Sequence, residues 1–134
     1  MKIELKTNEF LTTFNKWMER TPNFVPLAII PSFFLVCSNE EKDLFALMVF
    51  EPMNSNTAWI GFPLKNPDST KEEREGGLTY LLEESTHYLK NKGYNFIWTT
   101  SATPPVVEAL KEANFKEGDT NINQYYYRWE QQQQ

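Results

Sequence analysis

Two adjacent glycines, Gly76 and Gly77, precede a run in which Leu78, Leu81, Leu82, Ser85 and Leu89 recur at helical spacing. LKNKGY ends that run at Gly93, so the pattern predicts an amphipathic helix over 74–92. What flanks it restricts the fold further. Ala58 to Lys65 and Asn95 to Thr100 both read as strands, and a strand–helix–strand unit requires its two strands to lie parallel.

The chain before this unit reads as a meander. Met1 to Lys6 alternates Ile3 and Leu5 with polar neighbours, a short strand pattern. Thr7 is a candidate N-cap for a helix to about Arg20, with Phe10, Leu11, Phe14, Trp17 and Met18 on one face. Thr21 to Ser32 carries three prolines and reads as a turn or a short second helix. Phe33–Cys37 and Leu44–Phe50 are strands joined by SNEEKD, and EPMNSN leads into the third, so all three pair antiparallel. The second is wholly apolar, as a strand buried on both faces must be. After Thr100, Thr103 and Pro104 open a helix to about Ala113. Phe115–Glu117 and Gln124–Trp129 read as closing strands. The expected class is α/β (α+β): a mixed, mostly antiparallel sheet of about six or seven strands flanked by helices. One domain over 1–130 and a polar tail over 131–134 account for the whole chain.

Composition excludes several functions. With 13 Lys and Arg against 18 Asp and Glu, the net charge is −5. No basic stripe exists on which counterion release could drive nucleic-acid binding. No apolar stretch reaches the roughly 18 residues of a membrane span, and MKIELKTNEF is not a signal peptide. The single cysteine, Cys37, permits no intrachain disulfide, which fits a cytoplasmic setting. One histidine and one cysteine cannot build a dedicated His/Cys metal site or a Ser-His-Asp triad, so no metal is expected. His87 falls off the apolar stripe and reads as a solvated residue. Cys37 reads as a small buried hydrophobe, and Trp17, Trp59, Trp98 and Trp129 as core payload.

The order of elements, with Arg74-Glu75-Gly76-Gly77-Leu78-Thr79 on the turn into the central helix, resembles the GNAT acyltransferases, which move an acyl group from acyl-CoA to an amine. The family motif there is R/Q-x-x-G-x-G/A. Its chemistry is that of amides at a helix N-terminus, with glycines that let the backbone approach a pyrophosphate. The resemblance implies that Arg74, Gly76, Gly77, Leu78 and Thr79 bind the co-substrate acetyl-CoA. It also implies a splayed parallel strand pair at the sheet centre, with the pantetheine arm in the gap. Thr103 to Phe115 echoes the later family signature, with Thr103 for its asparagine, Asn114 for its glycine and Leu110 for the tyrosine that often protonates the departing thiolate.

Three residues are candidates for the chemistry. Glu51, a carboxylate at the end of a meander strand, is the candidate base, and a solvated turn residue is its plainer reading. Ser101 could polarise through a water, against a simpler turn-forming role. No residue obviously replaces the family tyrosine; of Tyr125, Tyr126 and Tyr127 on the closing strand, Tyr126 is the candidate. The turn itself allows two structures, because Thr70-x-x-Glu73 is a capping-box pattern. A helix starting at Thr70 would consume the glycine amides, whereas one starting at Gly76 would leave them for a phosphate. Between Lys65 and Glu75, the anions Asp68, Glu72, Glu73 and Glu75 face the cations Lys65, Lys71 and Arg74. Two functions fit: an acetyl-CoA-dependent N-acyltransferase acting on a small-molecule or protein amine, or a catalytically inactive, phage-type GNAT-fold protein serving in an interaction or assembly. The corresponding partners are acetyl-CoA with an amine substrate, or a homodimer or protein assembly.

Overall fold

The computed structural model describes residues 1–22, 30–101, 103–120, 125 and 127. Five strands form one sheet in sequential order: β1 (Lys2–Lys6), β2 (Phe33–Ser38), β3 (Asp43–Phe50), β4 (Thr57–Lys65) and β5 (Phe96–Trp98). The first four pair antiparallel, and β4 and β5 pair parallel, as the strand–helix–strand order requires. Short polar turns set the meander. Between β2 and β3 the Asn39 side chain accepts hydrogen bonds from the amides of Glu41 and Lys42, each at 2.8 Å.

The sheet separates two apolar cores. Phe33, Leu35, Cys37, Leu47, Val49, Ala58 and Ile60 project to one face, beneath Leu81, Leu82, Leu89, Ala109 and Ala113 of the later helices. Phe34, Val36, Ala46, Met48 and Leu64 project to the other, beneath the first helix. Alternate residues of β2 and β3 thus enter opposite cores, which is why β3 carries no polar side. That first helix, α1 (Leu11–Glu19), is preceded by one 3₁₀ turn (Asn8–Phe10) and buries Phe10, Phe14, Trp17 and Met18. Burial of Cys37 pushes its thiol up to about 11, the nearby N-terminal charge only partly offsetting this, so it stays protonated and unreactive. No helix among the described residues is long and apolar enough to cross a membrane.

Strand β4 is not regular. Ala46 pairs with Leu64 and Met48 with Gly61, so Leu47 alone opposes Phe62 and Pro63. This bulge has two local causes. Pro63 has no amide hydrogen for the ladder, and Phe62 adopts the left-handed conformation at φ 54°. The extra residue reverses the alternation: Ile60 lies in the core beneath the later helices, whereas Leu64 lies beneath α1.

The predicted 74–92 helix is present from Gly77, with a separate turn before it. A single turn, α2 (Lys71–Arg74), is followed by a break and then by α3 (Gly77–Asn91). Among the described residues the sheet has five strands, not six or seven. Phe115 is drawn instead into the core by the end of α4 (Pro104–Glu112), while Lys116 and Glu117 are exposed and unpaired in the sheet. Most of Gln124–Trp129 lies outside the described residues, and Tyr125 and Tyr127 within it are exposed. Strand β5 is also shorter than expected, and Trp98 is not core, being 53% exposed. Strand β5 is the edge strand among the described residues, and only its middle residue, Ile97, packs on the helix-covered core.

Candidate functional site

The turn into α3 realises both readings of its sequence at once. The Thr70 hydroxyl accepts from the Glu73 amide (3.1 Å), and the Glu73 carboxylate accepts from the Thr70 amide (2.8 Å), completing the capping box. This box closes α2 alone. Glu75 is extended (ψ 124°) and Gly76 is left-handed (φ 75°), so α3 starts afresh with Gly76 as its N-cap. Its first bond runs from the Tyr80 amide to the Gly76 carbonyl at 3.0 Å. By helix geometry the amides of Gly77, Leu78 and Thr79 then have no acceptor within α3.

The two glycines serve different ends. A Cβ on Gly76 would meet no atom within 4 Å, so its side faces open space and only its positive φ demands glycine. A Cβ on Gly77 would lie 3.0 Å from Phe45 Cε2, so Gly77 lets α3 settle onto β3. Replacing Gly76 by Ala is therefore expected to cost about 1 kcal/mol through strain alone, measured as a shift in urea midpoint with unchanged slope. A loss well above that would show the turn to be packed, contrary to the open geometry.

Two carboxylates of the acidic loop are paired with cations from elsewhere in the chain. Arg20 pairs with Asp68 at 2.7 Å and Lys42 with Glu73 at 3.2 Å. Arg74 donates through Nη1 to the Ser69 carbonyl and to Ser69 Oγ, which anchors its guanidinium beside the turn and leaves its other N–H groups unassigned to that contact. A further carboxylate enters from α4: Thr79 Oγ1 donates to Glu112 Oε2 at 2.8 Å. Nothing local in the sequence pairs residues 33 apart, so this contact was not legible there.

The parallel ladder of β4 and β5 is short. They are in register only over Thr57–Phe96, Ala58–Ile97 and Trp59–Trp98, after which β4 bulges and β5 ends. Phe62 packs edge-on to Trp59 (5.6 Å) on the α1 face, and the Tyr80 hydroxyl donates to the Met1 carbonyl at 2.9 Å. Both bulky side chains are thus committed to contacts of their own.

The sequence-derived candidates separate. Arg74, Gly76, Gly77, Leu78 and Thr79 are brought together on the turn. Ser101 lies just past β5, where its Oγ accepts from the Thr103 amide at 3.2 Å, the turn-forming role. Glu51 is elsewhere. Its Oε2 accepts from Lys92 Nζ at 2.6 Å and from the Tyr94 hydroxyl at 2.5 Å, and those donors follow the far end of α3, a helix length of about 20 Å from Gly76. Tyr126 lies outside the described residues. Leu110 packs on the helix-covered core. Asn114 takes the left-handed role of the family glycine at φ 67°, and Phe115 donates its amide back to the Leu110 carbonyl at 2.9 Å. His87 is exposed, as its place off the apolar stripe requires.

Comparison of this architecture with solved structures finds close likeness. An aminoglycoside acetyltransferase, meta-AAC0020, from an uncultured soil metagenomic sample and in complex with sisomicin, matches at TM-score 0.63 and 18% identity, covering 96% of each chain. A probable acetyltransferase matches at TM-score 0.65 and 13% identity, covering 98% of this chain and all of the other. The aminoglycoside N-acetyltransferase AAC(6')-Iy in complex with CoA matches at TM-score 0.63 and 12% identity, covering 95% and 93%. No protein-family model matches the sequence, and comparison with curated proteins finds no match. The chain thus shares with these acetyltransferases the GNAT acyl-CoA N-acyltransferase fold, with a short parallel pair beside a meander and a broken turn into the central helix.

Proposed function

We propose that this protein is an acetyl-CoA-dependent N-acyltransferase that moves an acyl group to an amine on a small molecule or a protein. The observation that carries this reading is the break at Glu75–Gly76. It ends the Thr70 capping box after one turn and begins α3 anew, with three first-turn amides unused by the helix. An acyl-CoA supplies the activated thioester. The chain supplies what holds it: amides of Gly76, Gly77, Leu78 and Thr79 that suit pyrophosphate oxygens, Arg74 alongside them, and the gap between β4 and β5 for the pantetheine arm. Solved proteins of this fold hold CoA in one case and sisomicin in another, consistent with a thioester donor and an aminoglycoside-type acceptor. Ser101 already accepts from the Thr103 amide, which leaves its own proton free to donate to a water beside the gap. Tyr126 is the candidate to return a proton to the leaving thiolate. Glu51, the candidate base, already accepts from Lys92 and the Tyr94 hydroxyl, which favours a structural role for it.

A second reading is a GNAT-fold protein without catalysis, acting in a homodimer or other assembly, and one observation favours it: Leu110 aligns in sequence with the family's phenol. Calorimetric titration with acetyl-CoA decides between them. Saturable binding supports the enzyme, whereas no heat at about 1 mM cofactor would sink it in favour of the second reading.

A further inference from the structure

We infer that Glu112 is a determinant of cofactor affinity, holding a negative charge against the first turn of α3 so that an anionic donor must compete with it. This rests on the cofactor reading above. Thr79 is the third residue of α3, and helical side chains lean towards the N-terminus, so its hydroxyl stands at the rim of that turn. The hydroxyl donates to Glu112 Oε2 at 2.8 Å, and this docks the end of α4 on the start of α3. A carboxylate there gains from the positive end of the helix, and a pyrophosphate would draw on that same end. At position 79 the family motif has glycine or alanine, neither of which could donate this bond. Glu112 has no cation of its own within ion-pairing distance among the described residues, unlike Glu108 on the same helix, which lies 3.9 Å from Lys111.

The test is calorimetric titration of CoA into the full chain, its Glu112→Gln variant and a Glu108→Gln control. Glutamine keeps an oxygen for the Thr79 hydroxyl and removes only the charge. Affinity is expected to rise about tenfold in Glu112→Gln and by less than twofold in Glu108→Gln, with unchanged thermal midpoints. Binding by Glu112→Gln where the unaltered chain shows none would support the inference in the same way. Equal affinities for the unaltered chain and Glu112→Gln would overturn it and leave the cofactor reading intact. An equal gain in Glu108→Gln would reduce it to general electrostatics. No CoA binding by any of the three would overturn both. Should Glu112→Gln lower the thermal midpoint, Glu112→Ala serves as the second variant: it also removes the charge and is expected to show a comparable gain in CoA affinity, and an affinity equal to that of the unaltered chain would overturn the inference.

Discussion

Replacing Glu51 by alanine should lower the stability of this protein by about 2 kcal/mol and leave its affinity for acetyl-CoA unchanged. The Tyr94 hydroxyl is partly buried, and Glu51 Oε2 is its acceptor at 2.5 Å. Removing the carboxylate leaves that donor without a partner, which costs more than a hydrogen bond contributes. The Lys92 contact adds little by itself, because its side chain is 40% exposed and also rests over the Phe33 ring at 4.4 Å. What the group does mechanically follows from its position. Gly93 is left-handed (φ 110°), and Tyr94 donates its amide back to the Leu89 carbonyl at 3.0 Å. This turn delivers both Lys92 and Tyr94 to the end of β3, so the node clamps the far end of α3 to the sheet. The thermal midpoint should fall by about 7 °C. An unchanged midpoint with lost acyl transfer would instead make Glu51 a base and refute the clamp.

The same node sets a dependence on pH. Burial pushes the Glu51 carboxyl up, but the hydrogen bonds from Lys92 and Tyr94 outweigh it and hold it below its ordinary 4.5. A depressed carboxyl contributes stability that is present above its unfolded value and lost as pH falls through the folded one. Tyr94 is raised to about 12, first by burial and then by its bond to Glu51. Its contribution is present below the ordinary tyrosine value and is lost as pH rises towards 12. Glu51→Ala should therefore flatten both the acid and the alkaline limbs of a stability–pH curve.

Gly61→Ala should cost about 2–3 kcal/mol and shift tryptophan emission. A Cβ there would stand 2.6 Å from Trp59 Cη2 and 3.0 Å from Cζ2, so the indole lies directly over Gly61. The ring cannot simply swing aside. Phe50 holds one side of it at 4.8 Å and Phe62 the other at 5.6 Å. Phe62 is itself in the left-handed conformation, which a bulky residue keeps only when its surroundings enforce it. Displacing Trp59 therefore loosens the bulge where β4 leaves β5, and acetyl-CoA affinity should fall with stability. A variant as stable as the unaltered chain would show that the indole has room that these distances deny it.

Much of this was legible from local pattern. The doubly buried run of β3 and the Leu81–Leu82–Ser85–Leu89 stripe each follow from one period, whereas β1 forms as expected but leaves Leu5 exposed. The Thr70 and Glu73 pair was readable as a cap because its partners are three residues apart. The bulge left a weaker mark, a glycine and a proline two residues apart within a strand, but its effect, the exchange of Leu64 between cores, depends on β3.

The order of the elements, the parallel pairing of β4 with β5 and the place of the glycine turn follow from spacing along the chain. Only the tertiary structure decided what that turn is. A capping box and a left-handed glycine each had a local claim on it, and the packing of Gly77 on Phe45 and of Arg74 on Ser69 accommodates both by breaking the helix between them. It also decided which carboxylate stands near the turn. Glu51, the candidate base by sequence, is bonded to Tyr94, while Glu112, which no local pattern marks, arrives at the turn from 33 residues away. Charge at a site depends on which surfaces meet, and spacing along the chain carries no record of that.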